Sequence, residues 1–165
     1  MGRHWSAAKL VSRPLAARVG GGSIGIMRYV VLDTETTGKH PEQGHRIVEI
    51  GAILIEGRTI RHDCTFHHYL NPQRPIPKDV VEIHGITDEK VKGKPRFAEV
   101  KDELLAFLRQ GVLVIHNAPF DLRFLMHEYA HAGSPGVLDE FPVIDTLALA
   151  RSRRFPRCSL DALCD

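Results

Sequence analysis

The sequence predicts an α/β fold in which helices flank a mixed central sheet. Two observations carry this: three apolar, β-branched runs follow one another early in the chain, and from residue 95 onward helical stripes alternate with short apolar strands. Neighbouring early strands joined by tight turns pair antiparallel, whereas strands separated by a helix return parallel. The same sheet must then contain both directions.

The elements follow in order. "RYVVLD" is a short strand, "RIVEIGAILIEG" a second one broken by the polar Glu49, and "RHDCTFHHYL" a loosely alternating third, with Gly57 and Arg58 as the hairpin turn between the last two. "NPQRPIPKD" reads as a Pro-rich loop. "PRFAEVKDELLAFLRQG" has helical spacing, with Phe97, Val100, Leu104, Leu105 and Leu108 on one stripe and Gly111 as its stop. "VLVIH" is a buried strand, and "APFDLRFLMHEYAHAG" an amphipathic helix with Pro119 in its first turn and Gly133 at its end. "VIDTLALARS" passes from strand to helix, and "SLDALCD" opens a further helix capped by Ser159.

At 165 residues, with 43% hydrophobic and 25% charged residues, the chain fits one globular domain with a real core. No apolar run approaches the roughly 18–20 residues of a membrane span, so no membrane partner is expected. Three cysteines, Cys64, Cys158 and Cys164, form neither a disulfide framework nor a C-x-x-C pair, which suits a reducing compartment. The formal net charge of +2 is misleading, because residues 1–26 contain four basic residues and no acid. That segment reads as a basic leader, disordered or produced by a mis-assigned start upstream of Met27, ahead of a domain over 27–165. The domain itself is slightly acidic, with 18 basic against 20 acidic residues, so affinity for a polyanion must come from bound cations or local patches. One patch is "ARSRRFPR", where Arg151, Arg153, Arg154 and Arg157 surround Phe155; it reads either as a solvated loop or as a phosphate-backbone or partner contact.

"VVLDTETTG" carries the chemistry. Asp33 and Glu35 are i and i+2 on a strand, so both point to one face at its C-terminal end. Two carboxylates so close repel unless a cation lies between them, and an oxygen-rich site with open positions suits Mg²⁺ or Mn²⁺. Thr34, Thr36, Thr37 and Gly38 are small and let a ligand approach the main chain. A third carboxylate, Asp121, stands in the first turn of the helix after "VLVIH". It serves there as a cap or dipole partner, or it is carried by the strand–loop–helix crossing to the same sheet end as Asp33 and Glu35. His127 and His131 sit four apart on that helix without a third ligand at recognisable spacing, so no metal pair is assigned to them.

Six stretches, "VVLDTETTG", "HRIVEIGAI", "IHGIT", "VIHNAPFD", "DTLALAR" and "SLDALC", in this order and spacing, resemble the proofreading (epsilon) subunits of bacterial DNA polymerase III. Those belong to the DEDDh 3′–5′ exonucleases of the ribonuclease H-like fold. The resemblance runs from Arg28 to about Cys164. It implies that Asp33, Glu35 and Asp121 are catalytic metal ligands for two Mg²⁺ or Mn²⁺ ions, and that His84 and Asp79 contact the terminal nucleotide. It further implies a single-stranded DNA 3′ end as substrate, the polymerase III catalytic subunit and a small accessory subunit as partners, and a bacterial cytoplasmic location.

The family's third motif, with its histidine base and last aspartate, lies beyond the "SLDALC" helix and has no counterpart in these 165 residues. His116 matches the second motif's own histidine and is read as structural. The C-terminal part of the fold is therefore expected to be missing. Loss of a general base costs about 10²–10⁴ in rate, so these residues alone are expected to be nearly inactive. Two alternatives remain at this stage: a non-catalytic, polymerase-associated or nucleic-acid-binding module, and a DEDDh enzyme that trims RNA.

Overall fold

The computed structural model describes residues 25–164, except for the side chains of Asp161 and Cys164. The leader assigned to residues 1–26 thus lies, up to residue 24, outside the described residues. The elements are β1 (Arg28–Thr36), β2 (Ile47–Glu56), β3 (Thr59–Tyr69), α1 (Lys78–His84), α2 (Asp88–Val91), α3 (Phe97–Leu108), β4 (Val112–Ile115), α4 (Ala118–His131), β5 (Val143–Asp145), α5 (Thr146–Ser152) and α6 (Leu160–Cys164). The five strands lie in the order β3-β2-β1-β4-β5. β1–β2 and β2–β3 pair antiparallel, β1–β4 and β4–β5 parallel, which is the mixed sheet the sequence predicts.

Alternation along the strands divides the core. Val30, Leu32, Ile50, Ala52 and Leu54 point to one face and pack with Leu104, Leu108, Phe124, Leu125 and Tyr129 of α3 and α4. Full burial of each such side chain contributes about 1.5–3 kcal/mol, so this layer is what holds α4 against the sheet. Phe97 and Tyr129 meet edge to face at 4.9 Å, and the Tyr129 hydroxyl donates to the Lys101 carbonyl at 2.8 Å, tying α3 to α4. On the other face Val31, Ile53 and Ile55 form a smaller cluster with Tyr29, Ile60 and Val114.

Two details differ from the sequence expectation. The Pro-rich loop ends at Pro77, and α1 and α2 follow, seated by Ile76, Ile86 and Val91 around Val48. α3 ends at Leu108, and Gly111 is not its left-handed cap: a Cβ there would lie 2.5 Å from the Arg28 carbonyl oxygen. Glycine is needed because β4 enters the sheet hard against the start of β1.

The parallel strands β1, β4 and β5 all end at one edge of the sheet, and β2 begins there. The carboxyl ends of such strands are where open α/β sheets place ligands.

Candidate active site

β1 brings Asp33 and Glu35 to that edge. Asp33 is exposed and pairs in register with Gly51, whose missing side chain leaves room beside it; Glu35 is half-buried opposite Glu49 of β2. Residues facing one another across an antiparallel ladder have Cβ atoms about 4.5–5.5 Å apart, so Glu49 adds one further acid beside Glu35. Glu49 is bound by His67 of β3, Nε2 to Oε1 at 2.6 Å. A row of Glu35, Glu49 and His67 thus crosses three strands. Sequence reading took Glu49 only as a polar break in an apolar run; that interruption was the available signal.

Asp121 arrives from the opposite face of the sheet. It stands in the first turn of α4, only 2% exposed, and its Oδ1 accepts both the Thr34 hydroxyl at 2.6 Å and the Thr34 amide at 3.1 Å. Thr34 is the residue between Asp33 and Glu35. Burial pushes the Asp121 carboxyl up to about 7; the Thr34 hydroxyl opposes that shift, and the charge of Asp33 adds to it. The three acids are therefore clustered at one sheet end, two on the open face and one beneath it. Among the described residues no group of three or more His, Cys, Asp or Glu side chains converges as a ready metal cage. The donor set nevertheless fits a hard cation: it is all carboxylate oxygen, open on the Asp33 side, with mutual repulsion that a divalent ion would relieve.

The turn before α4 is fixed independently. Asn117 is left-handed (φ 64°) and its amide donates to Asp145 Oδ1 at 3.1 Å. The same Oδ1 accepts the Leu147 and Ala148 amides at 2.9 and 3.3 Å as the N-cap of α5. His116 Nδ1 shares a hydrogen bond with the Thr146 hydroxyl at 3.0 Å. One carboxylate thus joins the β4–α4 and β5–α5 turns directly behind Asp121.

The β1–β2 loop is closed by reciprocal Thr37–Arg46 hydrogen bonds, the Thr37 amide donating to the Arg46 carbonyl and the Arg46 amide to Thr37 Oγ1. Arg46 then clamps Glu128 of α4 through two 2.7 Å contacts, and Glu128, 2% exposed, also accepts the Ile47 amide at 3.2 Å. This pair also escaped sequence reading, because its members lie 82 residues apart and only the fold unites them.

His84 ends α1 beside the site. Its Nδ1 accepts the Ile86 amide at 3.0 Å, which leaves the proton on Nε2 to donate to the Thr36 carbonyl at 3.2 Å. Burial lowers its pKa, so the ring is neutral and both nitrogens are engaged. Asp79 is exposed in the first turn of α1, five positions before His84, so the two point about 140° apart around the axis. His127 and His131 are both exposed on α4.

A family model described as "Exonuclease" matches residues 30–165. DNA polymerase III subunit epsilon of Rickettsia felis is 47% identical over 142 residues, covering 84% of this chain and 61% of that protein. The protein of the same name from Escherichia coli K12 is 43% identical over 150 residues, covering 86% and 61%. The chain thus spans about 61% of the length of these relatives. Among solved structures, a product-bound exonuclease I superposes with a TM-score of 0.68 at 17% identity, over 77% of this chain and 31% of that one, a likeness of fold alone. A strand ending in paired acids, a second strand leading to a third acid on the following helix, and a family match across nearly all of this region agree: the chain belongs to the exonuclease family.

Proposed function

We propose that this chain is the nuclease part of a proofreading subunit, removing nucleotides from the 3′ end of single-stranded DNA as nucleoside 5′-monophosphates. The observation that carries the reading is Asp33 and Glu35 on one face of β1, with Asp121 locked to the residue between them by two hydrogen bonds. Exonucleases of this family depend on a metal. In the proposed site Asp33, Glu35 and Asp121 hold Mg²⁺ or Mn²⁺, which when bound supplies a Lewis acid for the phosphodiester and lowers the pKa of a bound water.

The chain's own residues have distinct parts. Asp33 presents its carboxylate on the solvent side, while Glu35 faces Glu49 across the ladder, a like-charge pairing that a bound cation would relieve. Asp121 fixes the main chain at Thr34, so the two acids on β1 cannot turn independently. His84, whose nitrogens are both engaged, has its ring face left for the terminal nucleotide, whereas Asp79, about 140° away around α1, could reach that nucleotide only from another side. The relatives are named as subunits of DNA polymerase III, which supports action within a polymerase assembly; in this reading its catalytic subunit and a small accessory subunit are the partners and the bacterial cytoplasm the location. Among the described residues no helix is long and apolar enough to cross a membrane.

Thermal unfolding with and without Mn²⁺ tests this. A ligand that binds only the folded chain stabilises it by about 2.7 kcal/mol at a hundredfold excess over Kd, so the midpoint rises in Mn²⁺. The rise is expected to vanish in Asp33→Asn and Glu35→Gln. With 5′-labelled oligonucleotide, whatever shortening occurs, however slow, is expected to run from the 3′ end and only where those acids are intact. A midpoint indifferent to Mn²⁺, or trimming that survives both substitutions, overturns the reading.

A further inference from the structure

The arginine-rich turn after α5 is not used by the carboxylate site, and it has a definite structure. α4 and α5 end in the same motif. In α4 the Ser134 amide donates to the Tyr129 carbonyl and the Gly133 amide to Ala130, with Gly133 left-handed at φ 77°. In α5 the Phe155 amide donates to Ala150 and the Arg154 amide to Arg151, with Arg154 left-handed at φ 57°. That position ordinarily takes glycine, since a Cβ there costs roughly 1–2 kcal/mol. Here it carries a cation. The turn also holds Phe155 outward, 48% exposed, with Arg151, Arg153, Arg154 and Arg157 exposed around it.

No acid occurs between Asp145 and Asp161, and among the described residues none of these four arginines is in an ion pair, whereas Arg28, Arg46 and Arg61 each hold a carboxylate. Four uncompensated guanidinium groups around one exposed aromatic ring match a strand that offers phosphates at regular spacing and bases with free π-faces. An acidic protein surface would use the charges but not the ring. The turn is also within reach of the site: α5 is capped by Asp145, which is bonded to the α4 turn, and its seven residues span only about 10 Å.

We infer that the turn from Arg151 to Arg157 is a second nucleic-acid subsite, where the arginines bind phosphates and Phe155 stacks on a base of a single strand whose 3′ end lies at Asp33 and Glu35. The inference rests on the nuclease reading for the position of that end.

Fluorescence anisotropy of the full 165-residue chain with labelled oligo(dT) of about 12 nucleotides, in EDTA and over roughly 50–200 mM salt, tests it. The slope of log K against log salt is expected to shrink by about 0.7 for each lost phosphate contact, hence by about 2 in the Arg151→Ala, Arg153→Ala, Arg157→Ala variant. Arg154→Gly should lower the slope while unfolding no earlier than wild type, which separates lost charge from lost fold. Phe155→Ala should weaken binding by about fivefold or more with the slope unchanged. A charge-matched variant with Arg58, Lys92 and Lys94 changed to Ala should bind nearly as wild type does, and a dinucleotide should not distinguish the variants. Equal slopes in wild type and the arginine variant, no binding by wild type, or competition by polyglutamate together with indifference to Phe155→Ala would each overturn the inference. The nuclease reading fails on the Mn²⁺ midpoint and this one on the salt slope in EDTA, so the two failures are distinguishable.

Discussion

The charge of Asp121 is opposed by burial and by Asp33, and favoured by the two Thr34 contacts and by its own main chain. Its folded pKa of about 7 lies above the ordinary aspartate value of 3.8. Between those values the folded chain holds a proton that the unfolded chain has released, so the stability this group contributes is full below the lower value and is lost as pH rises through the higher one. In EDTA, the unfolding midpoint is therefore expected to fall by several degrees from about pH 4.5 to 8 relative to Asp121→Asn, in which this component is absent. A wild type and variant with parallel pH profiles would contradict the assignment. At this scale the sequence was partly readable. The shared face of Asp33 and Glu35 follows from i, i+2 spacing alone, but the register that sets Glu49 against Glu35 does not, because pairing across strands depends on where the loop between them closes.

Among the elements, the β1–β2 loop is held in large part by side-chain hydrogen bonds. Arg46 and Glu128 form the main clamp, while Arg123 donates to the Lys39 carbonyl and Arg74 to that of Gly44. Removing one partner of a buried ion pair leaves the other uncompensated, whereas exchanging both for apolar residues of similar volume is close to neutral. Glu128→Ala is expected to cost about 3–5 kcal/mol in urea unfolding, and the double variant Arg46→Met, Glu128→Leu far less. Equal losses in the two would mean that the pair is not acting as a unit. Helices α1 and α2 show why some elements escaped sequence reading: with seven and four residues they are too short for periodicity, and α1 follows a proline without a side-chain cap. The longer α3 and α4 and all five strands were legible from apolar spacing.

Across the whole molecule, the site is assembled from pieces far apart in the chain and belonging to opposite faces of the sheet. β1 supplies two acids, α4 presses a third up from the main core, and α1 closes the side with His84. The α/β class, the mixed sheet and the family were readable because strand order and motif order run together. What was not readable was the bracing behind the acids, since it depends on partners brought together only when β4 and β5 lie side by side.

Asp145 is the centre of that bracing, and its loss has a genetic signature. Asp145→Ala removes the acceptor of three amides at once, loosening the turn ahead of Asp121 without altering any proposed ligand. A cap of this kind contributes about 0.5–2 kcal/mol, a sizeable share of a marginal fold but not all of it. Under the proofreading proposal, a gene carrying the change is expected to behave as a heat-sensitive mutator allele, with replication fidelity near normal in the cold and lost on warming, whereas Asp33→Asn should raise mutation rate at every temperature. Mutation rates scored at a low and a high growth temperature would separate the brace from the reacting group.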